Sequence, residues 1–188
     1  LTFDQNDVEE RGVRLLMNPP IRKTEDKDKL WERLKDGTID CVVTDHAPHT
    51  LEAKSVGYPK APAGMPGVET SLPLMLTHAI DGKCSVSDVV RWMCEGPAKV
   101  YNIENKGTLI EGYDGDLTLV DLETHRTITD ADTWTKVGWT PYDGFELTGL
   151  PMWTIVDGIP VHSRTKNGPF KGKTLVKPGQ TGRSLRFR

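Results

Sequence analysis

Ile39-Asp40-Cys41-Val42-Val43-Thr44-Asp45-His46-Ala47-Pro48-His49 is the stretch on which the reading of this chain turns. Apart from Asp40, its first six residues are apolar or β-branched, the composition of a buried strand. That strand runs straight into a carboxylate, Asp45. A carboxylate at the C-terminal end of a parallel strand, followed by a long loop, sits where β/α barrels keep their active sites. The loop extends from about His46 to Gly67 and holds Pro59, Pro62 and Pro66 together with Gly57, Gly64 and Gly67. Loops of that length without structure of their own are usually functional.

Working outward, the apolar run Val13–Met17 is halted by Asn18-Pro19-Pro20, as a buried strand would be. Between the two runs Thr24 is placed to cap a helix that carries Glu25 and Asp26 in its first turn. Leu30, Trp31 and Leu34 give this helix an apolar stripe, and Gly37 ends it. Strand, helix, strand at this spacing predicts a parallel β/α unit. Two further helices are predicted beyond the loop. One carries Leu72, Leu76 and Ile80, with Pro73 near its start. The other carries Val86, Val89, Val90 and Met93, with Ser85 as N-cap, Asp88 three residues on, and Gly96-Pro97 as its stop.

From about Glu104 the pattern turns to β. Asp116–Leu122 alternates, and Thr124–Thr129 is placed to pair with it. Trp153–Val156 and Ile159–His162 flank Asp157-Gly158, a hairpin signal because both turn positions need positive φ. Trp134, Trp139 and Trp153 read as packing residues of this β unit. The chain shows no internal repeat.

Composition narrows the function classes. The 188 residues are 36% hydrophobic and 27% charged, with a net charge of −3. An acidic balance argues against general nucleic-acid binding, which needs a basic face. No run approaches the roughly 18 apolar residues of a membrane span, and the start does not read as a signal peptide. Cys41, Cys84 and Cys94 form no CxxC pair, which suggests free thiols in a reducing cytoplasm. Beyond Asp157 there is no acidic residue, while Arg164, Lys166, Lys171, Lys173, Lys177, Arg183, Arg186 and Arg188 follow. A solvated or surface-wrapping tail is expected there, a docking strip for an acidic partner being the alternative.

The chemistry concentrates in Thr44–His49. On a strand Asp45 can face a barrel mouth, while His46 points elsewhere, and Pro48 stiffens the turn that presents His49. The plainer alternative is that Asp45 caps a turn and both histidines lie on the surface. Spacing leaves the two open, because zinc needs three or four ligands and the stretch offers Asp45 and one histidine at most.

Val43–Lys54, VTDHAPHTLEAK, resembles the signature of the dihydroorotases, D-x-A-P-H preceded by Ser or Thr and followed five residues later by Lys; Val43 departs from the usual small residue. Met17–Arg22, MNPPIR, resembles the N-P-P-[IL]-R element of the same family. Ala61–Thr77, APAGMPGVETSLPLMLT, resembles its A-P-x-G-x-x-G-x-E-T loop and helix. Gly107–Leu117 resembles the C-terminal β-sandwich strands of cyclic-amide hydrolases. The resemblance covers the chain to about residue 165.

It implies an α/β fold: the C-terminal portion of a (β/α)8 amidohydrolase barrel over residues 1–103, a small β-sandwich unit over 104–165, and a basic tail over 166–188. It implies Asp45 as a metal ligand and general base and acid, His49 on the substrate's exocyclic carboxylate, Asn18 on the pyrimidine ring, and backbone groups of Ala63 and Gly64 against the substrate. No family role carries over to His46. Arg22 and Glu69 read as structural ion-pairing residues.

The implied cofactor is Zn2+, one or two ions, with the remaining ligands upstream of Leu1. A whole barrel takes about 250 residues, so the chain reads as a fragment whose partner is the N-terminal half of the barrel, inactive by itself. The implied reaction interconverts N-carbamoyl-L-aspartate and L-dihydroorotate in a cytoplasmic enzyme. Aspartate transcarbamoylase and a second copy of the chain are candidate partners; nucleic acid and membrane are not. The alternatives are an allantoinase- or hydantoinase-type amidohydrolase, discriminated at His49, and an inactive structural homologue.

Overall fold

The structure, a computed structural model, describes residues 1–177, Gly179, Thr181, Gly182, Leu185 and Arg186. It is mixed α/β, and its contacts divide it into two units that interleave along the chain.

The first unit comprises Leu1–Ile39, Thr44–Ser71 and Ile128–Phe145. Helix α1 (Gln5–Arg11) begins at Asp4, whose carboxylate accepts the Asn6 N–H while Asp7 answers on the Asp4 N–H. Such a reciprocal box satisfies two amides that a helix start leaves orphaned. The same Asp4 carboxylate takes the Thr24 hydroxyl and the Lys27 ammonium, each at 2.8 Å. This network fixes the start of helix α2 (Thr24–Lys35). Thr24 is therefore not the cap expected of it: Lys23 occupies that position, and the threonine hydroxyl is spent on Asp4. Trp31 and Leu34 are buried as predicted, but Leu30 is exposed. Gly37, at φ +81°, lets the chain leave the helix in a left-handed turn.

Val13–Met17 does not form the predicted strand. Gly12–Leu15 is a 3-10 turn, and Leu15 is buried. Val13, Leu16 and Met17 instead line an apolar groove of about 340 Å3 together with Val8 and Tyr58. The long loop contains one short helix, α3 (Leu51–Lys54), capped by the Thr50 hydroxyl.

Residues 128–145 return to this unit from far along the chain. Phe3, Tyr142 and Phe145 pack as three rings with centroids 4.9 to 5.6 Å apart, and Arg11 lies 4.6 Å over Phe145. Arg14 forks onto both oxygens of Asp130 at 2.9 and 2.6 Å, a bidentate pairing stronger than a single contact. This ion pair and its hydrogen bonds hold the Asp130 carboxyl below the usual carboxylate range.

The second unit comprises Asp40–Val43, Leu72–Thr127 and Glu146–Arg186 of the described residues. Helix α4 (Ser71–Ile80) buries Leu74, Met75 and Leu76, and Pro73 sits in its first turn, where no N–H is needed. Ser85 caps helix α5 (Val86–Val90) in a reciprocal box with Asp88, as its sequence predicts. Gly96-Pro97 does not stop this helix. The chain widens into a single π turn over Arg91–Glu95 and continues as helix α6 (Gly96–Val100). The wider turn accommodates a proline that lacks the N–H an unbroken α-helix would require.

Ile39–Thr44 forms no strand ladder either. Val42 donates to the Trp92 carbonyl at 2.9 Å, and Gly96 lies so close that a Cβ there would meet the Asp40 carbonyl oxygen at 2.4 Å. Among the described residues no neighbouring strand runs alongside it, and Val43 is exposed.

One four-stranded antiparallel sheet follows, in the order β1 (Leu117–Thr127), β2 (Glu146–Val156), β3 (Ile159–Ser163), β4 (Lys173–Thr174). Thr124–Thr127 does not pair back on 116–122 but continues the same strand past a bulge. The β2–β3 hairpin turns at Asp157 and Gly158, with φ of +53° and +77°, as predicted. Gly149 lets β2 approach α4, since a Cβ would stand 2.8 Å from that of Leu76. Beside it Thr77 accepts the Thr148 N–H at 2.9 Å.

The basic segment is not simply solvated: Phe170 is buried, and Lys173–Thr174 pairs with β3. Pro178, Gln180, Arg183, Ser184, Phe187 and Arg188 lie outside the described residues. No helix among the described residues is long and apolar enough to cross a membrane.

Candidate functional site

The Asp45 carbonyl accepts the Ala47 N–H at 2.9 Å, a tight turn that ends the extended run and leaves Asp45 exposed. His46 pairs with Met65 in a short parallel bridge. Its ring Nδ1 accepts the N–H groups of Gly67 at 3.1 Å and Val68 at 3.3 Å. His46 thus fastens the two ends of the long loop together, a role that its position in the motif did not signal.

Gly64 closes the loop against the motif. Its φ is +129°, and a Cβ there would lie 2.3 Å from the Ala47 carbonyl oxygen and 3.3 Å from His49 Cδ2. Only glycine fits both the conformation and the approach. The Gly64 N–H donates to the Leu16 carbonyl at 2.9 Å, which ties the loop to the run leading into Asn18. Asn18 is exposed and precedes a cis peptide to Pro19.

Two buried side chains underlie this arrangement. Trp139, 0% exposed, donates its indole N–H to the His49 carbonyl at 2.8 Å. It is a core residue of the first unit, not of the β unit as the sequence suggested, whereas Trp134 and Trp153 are largely exposed. Lys54 is also 0% exposed. Its ammonium donates to the carbonyls of Gly64 at 2.8 Å, Pro62 at 3.0 Å and Leu16 at 3.3 Å. Three donors meet three acceptors, which is what a buried ammonium without a carboxylate partner requires. Burial pushes its pKa down.

Among the described residues Glu69 forms no ion pair, contrary to the role its sequence suggests. Its two carboxylate oxygens accept the N–H groups of Trp134 at 2.7 Å and Thr135 at 2.8 Å, anchoring the segment that delivers Trp139. Arg22 is exposed.

The structure therefore brings His49, Ala63 and Gly64 together and ties the Asn18 run to them through Leu16, while Asp45 stands exposed at the start of the same turn. No group of three or more His, Cys, Asp or Glu side chains among the described residues could hold a metal ion. Asp45 is a hard oxygen donor suited to zinc, but one ligand does not make a centre, so no step is derived through a metal here.

A family model for the amidohydrolase family matches residues 5–158, and the chain belongs to that family. Within it, the chain is 39% identical over 159 residues to a dihydroorotase of Staphylococcus aureus, and 39% identical over 175 residues to a dihydroorotase of Halobacterium salinarum. These alignments take in 84% and 93% of the chain but 37% and 41% of the two relatives, so the chain spans about two fifths of their length. Among solved structures, the L-hydantoinase (dihydropyrimidinase) from Arthrobacter aurescens superposes with a TM-score of 0.83 at 36% identity, over 94% of this chain and 39% of its own. The dihydropyrimidinase from Brevibacillus agri superposes with a TM-score of 0.81 at 26% identity, over 95% of this chain and 42% of its own.

Proposed function

We propose that this chain carries one part of the active site of a dihydroorotase, which interconverts N-carbamoyl-L-aspartate and L-dihydroorotate. The observation that carries the reading is the fastening of the Asp45–His49 turn to the 61–68 loop by the His46 and Gly64 contacts. Pre-positioned groups of this kind lower the entropy cost of reaching a reactive geometry. The dihydroorotase relatives support it.

In this proposal Asp45 takes a proton from the attacking water and returns it to the leaving ring nitrogen. His49 holds the exocyclic carboxylate, Asn18 the ring, and the backbone at Ala63 and Gly64 the substrate edge. Because the Gly64 N–H and carbonyl are engaged by Leu16 and Lys54, the free backbone groups belong to Ala63, with Gly64 setting their place. Zinc belongs to the proposal with Asp45 as one ligand and the others supplied from elsewhere in the protein; when bound it polarises the carbonyl and activates water. The barrel portion at 1–103, the sandwich unit at 104–165 and the tail at 166–188 complete the reading.

Two substitutions in the intact protein that contains this chain test it. Asp45→Ala is expected to lower kcat by about a thousandfold with the fold retained, the scale of a lost general base; near-wild-type turnover would remove Asp45 from the chemistry. His49→Ala is expected to raise KM for dihydroorotate about tenfold or more, as when a charged hydrogen bond is lost. An unchanged KM makes His49 a bystander.

The solved hydantoinase relatives favour a second reading, hydrolysis of a cyclic amide without the exocyclic carboxylate. Comparing dihydroorotate with hydantoin as substrates separates the two.

A further inference from the structure

Lys54 is the most unusual buried group in the first unit. An ammonium removed from water without a carboxylate partner is costly. It is retained where its three donors are all used, and here they gather carbonyls from separate parts of the chain: Leu16, two residues before Asn18, and Pro62 and Gly64, which flank Ala63. The Leu16 carbonyl also accepts the Gly64 N–H at 2.9 Å, so both of its lone pairs are engaged in the same knot. Trp139 closes one side, its ring centroid 5.9 Å from the Lys54 nitrogen, while its indole N–H holds the His49 carbonyl.

The consequence lies at Ala63. With Pro62 and Gly64 both drawn onto one nitrogen, neither the N–H nor the carbonyl of Ala63 meets a partner among the described residues. We propose that Lys54 is a positioning residue for substrate: its ammonium clamps Leu16, Pro62 and Gly64 so that the Ala63 backbone and the Asn18 run are presented together. The ligand it serves is a cyclic imide or amide whose ring N–H and carbonyl edge matches one backbone carbonyl and one backbone N–H. This rests on the functional reading above for the identity of the ligand, but not for the clamp itself.

The test uses the intact protein. Lys54→Met keeps the length of the side chain and removes the donors. It is expected to raise KM for dihydroorotate by about tenfold or more, as withdrawal of a charge-assisted hydrogen bond does. The change in kcat is expected to be smaller, and bound zinc unchanged. An unchanged KM in a folded Lys54→Met protein overturns the proposal, as does a loss confined to kcat.

Because that variant risks misfolding, amide hydrogen exchange by NMR on the wild type gives an independent reading. Slow exchange at Gly64, fast exchange at Ala63, and slowing at Ala63 when dihydroorotate is added support the clamp. Fast exchange at Gly64, or an Ala63 amide indifferent to ligand, overturns it. If the wild type turns over hydantoin and not dihydroorotate, the dihydroorotase reading falls; the same measurements with hydantoin then decide on Lys54 alone.

Discussion

Gly64 shows how much of the site rests on one missing methyl group. At φ +129°, with the Ala47 carbonyl oxygen 2.3 Å from where a Cβ would stand, Gly64→Ala must either shift the loop or strain the backbone. We expect it to lose about 1–3 kcal/mol in urea unfolding, the usual cost of a residue forced into such a region, and an unchanged midpoint would mean that the loop relaxes freely. At this scale the sequence nominates candidates where they belong to a contiguous motif, as Asp45, His49 and Gly64 do. The roles of Trp139 and Glu69 were not legible. Their partners lie 90 and 65 residues away along the chain, and neither side chain differs in composition from an ordinary core or surface residue. Lys54 stood inside the motif, but nothing in its letters distinguishes a buried lysine from a solvated one.

Elements divide by whether their signals are local. Helix caps and two-residue turns are written in adjacent side chains, so the Ser85 box and the Asp157-Gly158 hairpin appear where the sequence placed them. Removing the first with Ser85→Ala is expected to lower stability by about 1 kcal/mol, the common value for a lost N-cap; thermal unfolding checks it, and no change would mean that Asp88 carries the cap alone. Strands depend on partners. Val13–Met17 and Ile39–Thr44 have the composition of buried strands, yet the described residues give neither a neighbour to pair with, and their backbone groups turn to other donors and acceptors. The continuation of α5 into α6 was missed for a different reason. Proline stops an α-helix in most contexts, and a π turn is too rare to expect from sequence.

At the scale of the whole molecule, acid should unfold this protein through particular carboxylates. Hydrogen bonds from Lys27, Thr24 and the Asn6 amide lower Asp4 from 3.8 to about 2, and Lys166 with two backbone amides does the same for Asp121. A carboxyl whose folded pKa lies below its unfolded one binds fewer protons in the native state, so its contribution is present above the unfolded value and is lost as pH falls through the folded one. Stability from these two groups is therefore expected to hold down to about pH 4 and to fall between about 4 and 2. Asp4→Asn should flatten part of that fall in urea midpoints measured against pH. An identical slope would remove Asp4 from the acid transition.

The return of residues 128–145 to the first unit also sets a timetable. The indole that holds His49 is 90 residues downstream of it, and the amides that hold Glu69 follow 65 and 66 residues after that carboxylate. On a ribosome adding about 5–20 residues per second, the turn bearing Asp45 emerges on the order of ten seconds before its anchor exists. For that interval the nascent loop lacks the contacts that will hold it, and the intervening helices and first strand must leave the exit tunnel before the site is locked.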